Sequence, residues 1–416
     1  MVTRPDNGHE VSPTAGLPLR WRDFFSAATE SLEDGLAALL DVPAVQIECS
    51  GTAALIVILT TLKRASTRRS VIIPAYTCPL VVLAIAHCDL TPVLCDLSKD
   101  SFDLCPRTLA RLVDDDTLAV IPTHLGGRVG DLSTVIDIAR QKGASVIEDA
   151  AQALGATWQG QPAGTVGDAG FFSLAVGKGL TLYEGGVLIA RDAGLRQALK
   201  ETSARIAPYR LFREVQRLVQ LAGYWALYRP AALRLSYGLP LRRALRKGDL
   251  IGAVGDDFDA DIPVHRVGTW RRSIGANALP RLPASLFMLA DQAATRIERL
   301  RMIQGLTVID DPADSRGTWP FLMVLMPTAR ARDAALARLW TAGMGVSRLF
   351  IHALPDYPYL AAQLGAVDVP NARDFAARML TISNSPWLEA SDFDRICSTL
   401  EAALDLTAPA ATATAG

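Results

Sequence analysis

Between residues 71 and 191 the chain alternates short, unbroken apolar runs with segments whose apolar residues return at helical spacing. The runs 71–73, 92–95, 118–121, 145–147, 170–173 and 186–189 are rich in β-branched and aromatic residues and lack polar alternation, which predicts strands covered on both faces. The stretches 80–87 and 132–141 between them predict helices. Strands separated by helices predict a largely parallel sheet, and ligands of such sheets gather at the carboxyl ends of the strands. From about residue 318 the pattern resumes with a strand at 321–325, a helix at 329–342 and a terminal helix whose face carries Phe393, Ile396, Leu400 and Leu404. The fold class expected is α/β, with a large sheet domain and a smaller C-terminal α/β domain.

The same pattern divides the chain into an N-terminal arm and helix (1–48), a large domain (49–200), an insert (201–265), a helical connection with dimer contacts (266–317), a small domain (318–406) and a disordered Ala- and Thr-rich tail (407–416). Within the insert, residues 205–247 carry nine arginines and Lys247 against the single acid Glu214, interleaved with Leu, Trp225 and four tyrosines. The run 256–261, with Asp256, Asp257, Asp259 and Asp261, then reverses the sign; its spacing does not match a calcium loop, and a solvated turn is expected.

Composition narrows the function classes. Lysine plus arginine number 42 against 43 acids, so net charge gives no argument for nucleic acid as a partner. The six cysteines, at 49, 78, 88, 95, 105 and 397, lack the close pairs of a zinc site and are too sparse for a disulfide framework, which points to a reducing cytoplasm and no metal. Pro, Asp, Glu and Arg interrupt the first twenty-five residues, against a secretory signal. Apolar runs such as 79–86 and 221–228 fall short of the roughly 20 residues a spanning helix needs.

Several candidate groups stand at the predicted strand ends. Ser50-Gly51-Thr52 precedes an apolar helix, and a glycine turn before a helix N-terminus lets backbone N–H groups approach an anion; an ordinary N-cap is the competing reading. Asp149 closes a hydrophobic strand, where a carboxylate is costly unless paired, as it would be opposite a protonated ring nitrogen. Gln152 follows three residues later and could donate to a ring oxygen. Lys178 lies between Gly177 and Gly179, five residues after Ser173, so its stem can enter a pocket where desolvation lowers its pKa, as imine formation requires. Read singly, these are a cap, a solvent-facing amide and a loop lysine. In this order they are what pyridoxal phosphate chemistry needs.

The stretch from Ser50 to Arg191 resembles the DegT/DnrJ/EryC1/StrS family of pyridoxal phosphate aminotransferases of fold type I, which act mainly on nucleotide-linked keto sugars. The matching segments are Ser-Gly-Thr-Ala-Ala-Leu, Ile-Pro-Ala-Tyr-Thr, Pro-Thr-His-Leu-Gly-Gly, Val-Ile-Glu-Asp-Ala-Ala-Gln-Ala, Gly-Asp-Ala-Gly-Phe-Phe-Ser and Glu-Gly-Gly, with similarity returning at 351–355 and 379–383. The resemblance implies a seven-stranded, mostly parallel sheet in the large domain. It implies that Lys178 condenses with the cofactor aldehyde, Asp149 holds the pyridine nitrogen, Gln152 contacts the ring oxygen, and Gly51, Thr52 and Ser173 bind phosphate. Asn277 is the expected phosphate ligand reaching in from a neighbouring subunit, which implies a homodimer with shared active sites. An amino acid, usually glutamate, is the implied donor and a keto sugar the acceptor, in glycan or secondary-metabolite assembly. Lysine at 178, where some relatives carry histidine, favours amino transfer over dehydration.

Two departures stand out. Where many relatives stack an aromatic residue on the cofactor ring, this chain has Cys78, so either the ring rests on the smaller side chain or Tyr76 compensates. The insert at 205–247 exceeds the usual helical connection. It is expected to add interface helices or cover the active site, with a surface helix on anionic lipid at the inner face of the membrane or a nucleotide-diphosphate clamp as sharper alternatives. His124 and His352 are candidate substrate contacts, packed histidines being the competing reading. The rival functions are a pyridoxal-phosphate lyase or dehydratase of the same fold, and a non-catalytic cofactor-binding or membrane-associated pathway protein.

Overall fold

A computed structural model of the chain describes residues 9–406, so the tail expected at 407–416 and the first eight residues of the arm lie outside the described residues. After a short strand β1 (Gln46–Glu48), the apolar runs form β2 (Ser70–Pro74), β3 (Thr91–Cys95), β4 (Thr117–Val120) and β5 (Ser145–Asp149). The short β6 (Thr157–Trp158) and β7 (Gln161–Pro162) follow, then β8 (Ala169–Ser173) and β9 (Gly186–Ala190). A seven-stranded sheet runs in the order β1-β9-β8-β5-β4-β2-β3. Its central pairings are parallel, whereas β9 lies antiparallel to both β8 and β1.

Neighbouring residues along a strand point to opposite faces, and here each face has its own core. Val71, Ile73, Ile147, Phe171 and Leu188 join one cluster, while Ile72, Val146, Phe172 and Val187 join another. That double coverage is why the runs read as continuous apolar sequence. The reversal at β9 has a simple origin. Residues 174–185 contain no helix, and without a crossover the chain can only return antiparallel, leaving its turn at the carboxyl end of β8. Lys178 sits in that turn.

The C-terminal part holds β10 (Thr307–Ile309), β11 (Ser315–Arg316), β12 (Phe321–Leu325), β13 (Val346–Ser347) and β14 (Met379–Ser383). An antiparallel sheet runs β10-β12-β14-β13, and β11 joins β6 and β7 in a small third sheet. Alternate residues of β12 divide between two cores: Phe321, Met323 and Leu325 pack with the large sheet, Leu322 and Val324 with the C-terminal helices. The helix expected at 329–342 stops earlier, at Ala329–Leu339, while the terminal helix spans Ala390–Asp405.

The insert folds into helices Leu211–Leu227, Pro230–Leu233, Leu239–Arg246 and Leu250–Val254, with a π turn at Arg234–Gly238. Glu214, the single acid within residues 205–247, is turned inward: its carboxylate takes Arg271 in a buried bidentate pair at 2.8 and 2.7 Å. Arg217 pairs with Glu184 in the loop that also carries Lys178. No helix among the described residues is long and apolar enough to cross a membrane.

Candidate active site

A cleft of about 460 Å³ opens at the carboxyl ends of β2, β4, β5 and β8. Gly51, Thr52, Cys78, His124, Asp149, Gln152, Ser173 and Lys178 all line it. Sheet topology brings them together, because each follows a strand end or the turn before the helix Gly51–Arg64.

That helix begins cleanly. Ser50 caps it by accepting the Ala53 N–H at 3.0 Å, which leaves the Gly51 and Thr52 N–H groups without intrahelical acceptors and directed at whatever lies before the helix. A Cβ at Gly51 would sit 3.3 Å from the Ser173 Cβ, so glycine is what lets Ser173 approach the helix start. The Ser173 Oγ accepts the Ala175 N–H at 3.3 Å, and its proton remains available to an anion.

Asp149 is 3% exposed. Its backbone is clamped between Pro122 and His124, its N–H donating to the first at 2.9 Å and its carbonyl accepting from the second at 2.9 Å. Its Oδ1 accepts the Ala151 N–H at 3.1 Å. Burial pushes the carboxyl up to about 6; the Ala151 N–H, His124 and Lys178 act against this without restoring an ordinary value. Such a group is held in want of a cation.

Lys178 is half-buried, and its Nζ makes no hydrogen bond among the described residues. Desolvation lowers its pKa, opposed by Cys78 and Asp149. Gly177 before it adopts a left-handed φ of 78°, where a Cβ would collide with the Thr14 hydroxyl. Gln152 Oε1 accepts the Gly126 N–H at 2.7 Å, which orients the amide and leaves Nε2 without a partner in the described chain. Together these groups fit pyridoxal phosphate: a helix start and hydroxyls for its phosphate, a buried carboxyl for its ring nitrogen, an amide donor for its ring oxygen and a desolvated amine for its aldehyde.

Three assignments need correction. Tyr76 does not line the cleft. It is buried with its ring against Phe350 and Phe375, its hydroxyl donates to the Phe350 carbonyl at 3.1 Å, and burial raises its pKa, so it cannot replace a stacking aromatic. Cys78 does reach the cleft, as a thiol whose pKa burial pushes up to about 12. Asn277 does not offer a free amide donor, because Nδ2 donates to the Asp23 and Ser26 carbonyls, both at 2.9 Å, fastening the N-terminal helix Trp21–Phe25. Asp256 is not a solvated turn residue. It is 3% exposed and lines the cleft, although Asp257, Asp259 and Asp261 are exposed as expected.

The histidines are structurally placed. His124 is fully buried, with Nδ1 accepting the Gly130 N–H at 3.3 Å and Nε2 at 2.9 Å from Glu148. Glu148 also gathers the N–H groups of Gly164, Val166 and Gly167 at 2.6–2.7 Å, so this pair anchors the loop before β8. His352 lies outside the cleft lining, edge-on to Tyr357 at 5.3 Å, and burial lowers its pKa. Residues that sequence reasoning missed include Glu184, Asp256 and Phe258. Glu184 stands within a quoted Glu-Gly-Gly motif, which was a usable signal; Asp256 and Phe258 had none beyond an aromatic residue inside an acidic run.

A parallel sheet with a lysine turn after β8, a carboxyl at the end of β5 and an open helix start defines a fold type I aminotransferase architecture. The chain belongs to the DegT/DnrJ/EryC1/StrS aminotransferase family, whose model matches residues 21–208 and 266–401. It is 35% identical over 130 residues to the GDP-perosamine synthase of Caulobacter vibrioides, covering 31% of this chain and 35% of that protein. The chain thus aligns with about a third of the length of the first curated relatives. The spore coat polysaccharide biosynthesis protein SpsC of Bacillus subtilis is 24% identical across 94% of this chain and 96% of its own. In three dimensions the sugar aminotransferase Spr1654 of Streptococcus pneumoniae, described as putative and solved in its PLP form, superposes with a TM-score of 0.73 at 19% identity, over 96% of this chain and 99% of that one.

Proposed function

We propose that the protein is a pyridoxal-phosphate-dependent aminotransferase that moves an amino group from an amino acid, glutamate the expected donor, to a nucleotide-linked keto sugar. The observation that carries this reading is the desolvated pair in one cleft: a lysine with a lowered pKa and a carboxyl with a raised one, beside an open helix start. When bound, the cofactor supplies an electron sink and carries the amino group between donor and acceptor. The Gly51 and Thr52 N–H groups and the hydroxyls of Thr52 and Ser173 would hold its phosphate. Asp149 would serve as the partner of its ring nitrogen, and Gln152 Nε2 would donate to its ring oxygen. Lys178 Nζ, whose burial favours the uncharged amine, takes a proton from the donor α-carbon and later returns one to the acceptor carbon. Sugar-related names among the relatives support the acceptor class.

The setting that goes with this reading is a cytoplasmic homodimer; six free cysteines and the exposed Trp21, Phe25 and Trp270 support it. A peripheral contact with anionic lipid is supported by the outer face of the helix Leu211–Leu227, where Phe212, Val215 and Val219 are exposed beside Arg210 and Arg213.

The experiment is spectroscopic. Purified protein loaded with pyridoxal phosphate is expected to absorb at the visible edge, lose that absorbance with glutamate and recover it with a keto-sugar nucleotide. Absorbance that no amino donor changes would instead favour a non-catalytic cofactor-binding protein, and release of ammonia or water from the sugar would favour a lyase or dehydratase.

A further inference from the structure

Residues 209–265 fall between the two stretches matched by the family model, yet they supply Val254, Gly255, Asp256 and Phe258 to the cleft that holds Lys178. The helix Leu250–Val254 ends at Gly255 in the left-handed region, φ 79°, and the Asp256 N–H bonds back to the Ile251 carbonyl at 3.1 Å. This turn sends the Asp256 side chain inward. Its Oδ2 accepts the Tyr357 hydroxyl at 2.7 Å and the Ile351 N–H at 2.9 Å, and its carbonyl accepts the Tyr359 hydroxyl. Its Oδ1 makes no hydrogen bond among the described residues. Burial pushes the carboxyl up to about 6, with the Tyr357 hydroxyl, the Ile351 N–H and Arg348 drawing it back down.

One oxygen of this side chain is consumed by the fold and the other is kept out of it. An unpaired carboxylate oxygen on a residue that lines the cleft is free to accept a hydrogen bond from a ligand there. Phe258 and Phe350 line the same cleft and offer apolar surface to the face of a sugar ring. We infer that Asp256 Oδ1 is a specificity-determining acceptor for a hydroxyl group of the sugar acceptor, presented by a segment that the family model leaves unmatched. The inference rests on the aminotransferase reading and adds to it which residue chooses the acceptor. Glutamate, the expected amino donor, carries no sugar hydroxyl to offer Asp256 Oδ1, so the two half-reactions separate the ideas.

The test substitutes Asp256→Asn. Asparagine keeps an oxygen for Tyr357 and Ile351 but replaces the free acceptor with an N–H donor. The half-reaction with glutamate is followed by absorbance in a single turnover, and the half-reaction with a panel of keto-hexose nucleotides, each lacking one hydroxyl, is followed separately. The donor step is expected to stay within about twofold, while KM for the fully hydroxylated acceptor rises on the order of 10- to 100-fold, the range for losing a hydrogen bond to a charged group. Wild-type protein is expected to lose a similar factor with one deoxy acceptor, and Asp256→Asn to be indifferent to that same change. Equal loss in both half-reactions, or a fully hydroxylated acceptor handled as before by a variant of unchanged melting temperature, overturns the assignment. If the variant does not fold, the wild-type panel still decides: no single hydroxyl that matters means no such contact. A wild-type protein inert towards every amino donor would overturn the aminotransferase reading itself.

Discussion

The carboxyl edge of the large sheet and the segment 209–265 border the same cleft but are built differently. The sheet edge places Asp149 and Ser173 on strands packed on both faces, with Gly51 opening a buried helix and Lys178 in the loop after β8, so most of the candidate chemistry stands on regular, well-packed elements. The insert is a chain of helices that sends Leu221, Leu241 and Ala253 into the cores but leaves other apolar side chains exposed, with polar ties from Glu214 to Arg271, Arg217 to Glu184 and Asp256 to Tyr357. The difference teaches a division of labour. The residues proposed for the reaction stand on the frame, and those proposed for acceptor choice and lipid contact stand on the attached segment.

The largest expected effect breaks the frame side. Lys178→Ala removes an amine that holds nothing in the fold, so melting should stay close to wild type while turnover falls on the order of 10⁴-fold or more. Chromatographic quantitation of aminated sugar checks this, and full turnover by the variant would end the reading. Next comes the joint between the two regions. Glu214→Ala leaves Arg271 buried and uncompensated, at a cost of about 3–5 kcal/mol. Arg271 also donates to the Leu182 and Glu184 carbonyls of the lysine turn, so the damage should reach the site. Denaturant unfolding measures the loss, and limited proteolysis should find new cuts within 209–265. If stability drops by less than 1 kcal/mol on the order-of-magnitude scale of surface changes, the pair is not the joint.

A third experiment sharpens the electrostatics of the frame. In the cofactor-free chain the Asp149 carboxyl sits at about 6 against an ordinary 3.8, so the native state binds its proton more tightly than the unfolded state does. Stability from this group is therefore present below about pH 4 and lost as pH rises through 6, by roughly 3 kcal/mol at most. Asp149→Asn should abolish that loss, melting above wild type at pH 8 and converging with it at pH 4. Adding pyridoxal phosphate should reverse the order at pH 8, because the ring nitrogen gives the ionised carboxylate its partner. A variant that melts like wild type at every pH would show that the aspartate carries no such penalty.

Much of the frame was legible because its signals are local. Unbroken apolar runs announced six strands of the large sheet, and the helix at 132–141 is found at Leu132–Gln141. The seventh strand, Gln46–Glu48, is three residues long and exists by pairing with β9, which no local pattern announces. What escaped was set by distant contacts. Tyr76 follows a strand end like its neighbours, but Phe350 and Phe375 close over its ring from the C-terminal part. Asn277 carries the right side chain, yet carbonyls of Asp23 and Ser26 take its amide hydrogens. Asp256 looks like one solvated aspartate among four until Tyr357, a hundred residues on, reaches its carboxyl.

The smallest effect concerns the insert's outer face. Phe212 is 81% exposed and Val219 67%, so replacing both with serine removes little packing and should change stability by no more than about 0.5 kcal/mol each. Turnover with soluble substrates should not change either, since neither residue lines the cleft. Co-sedimentation with anionic vesicles, however, should fall severalfold, because the apolar stripe is what would enter the interface while Arg210 and Arg213 meet the headgroups. Neutral vesicles supply the control. If wild-type protein stays in solution with both kinds of vesicle, the stripe does not serve lipid, and sedimentation equilibrium of the double variant then asks whether it instead joins two copies of the chain.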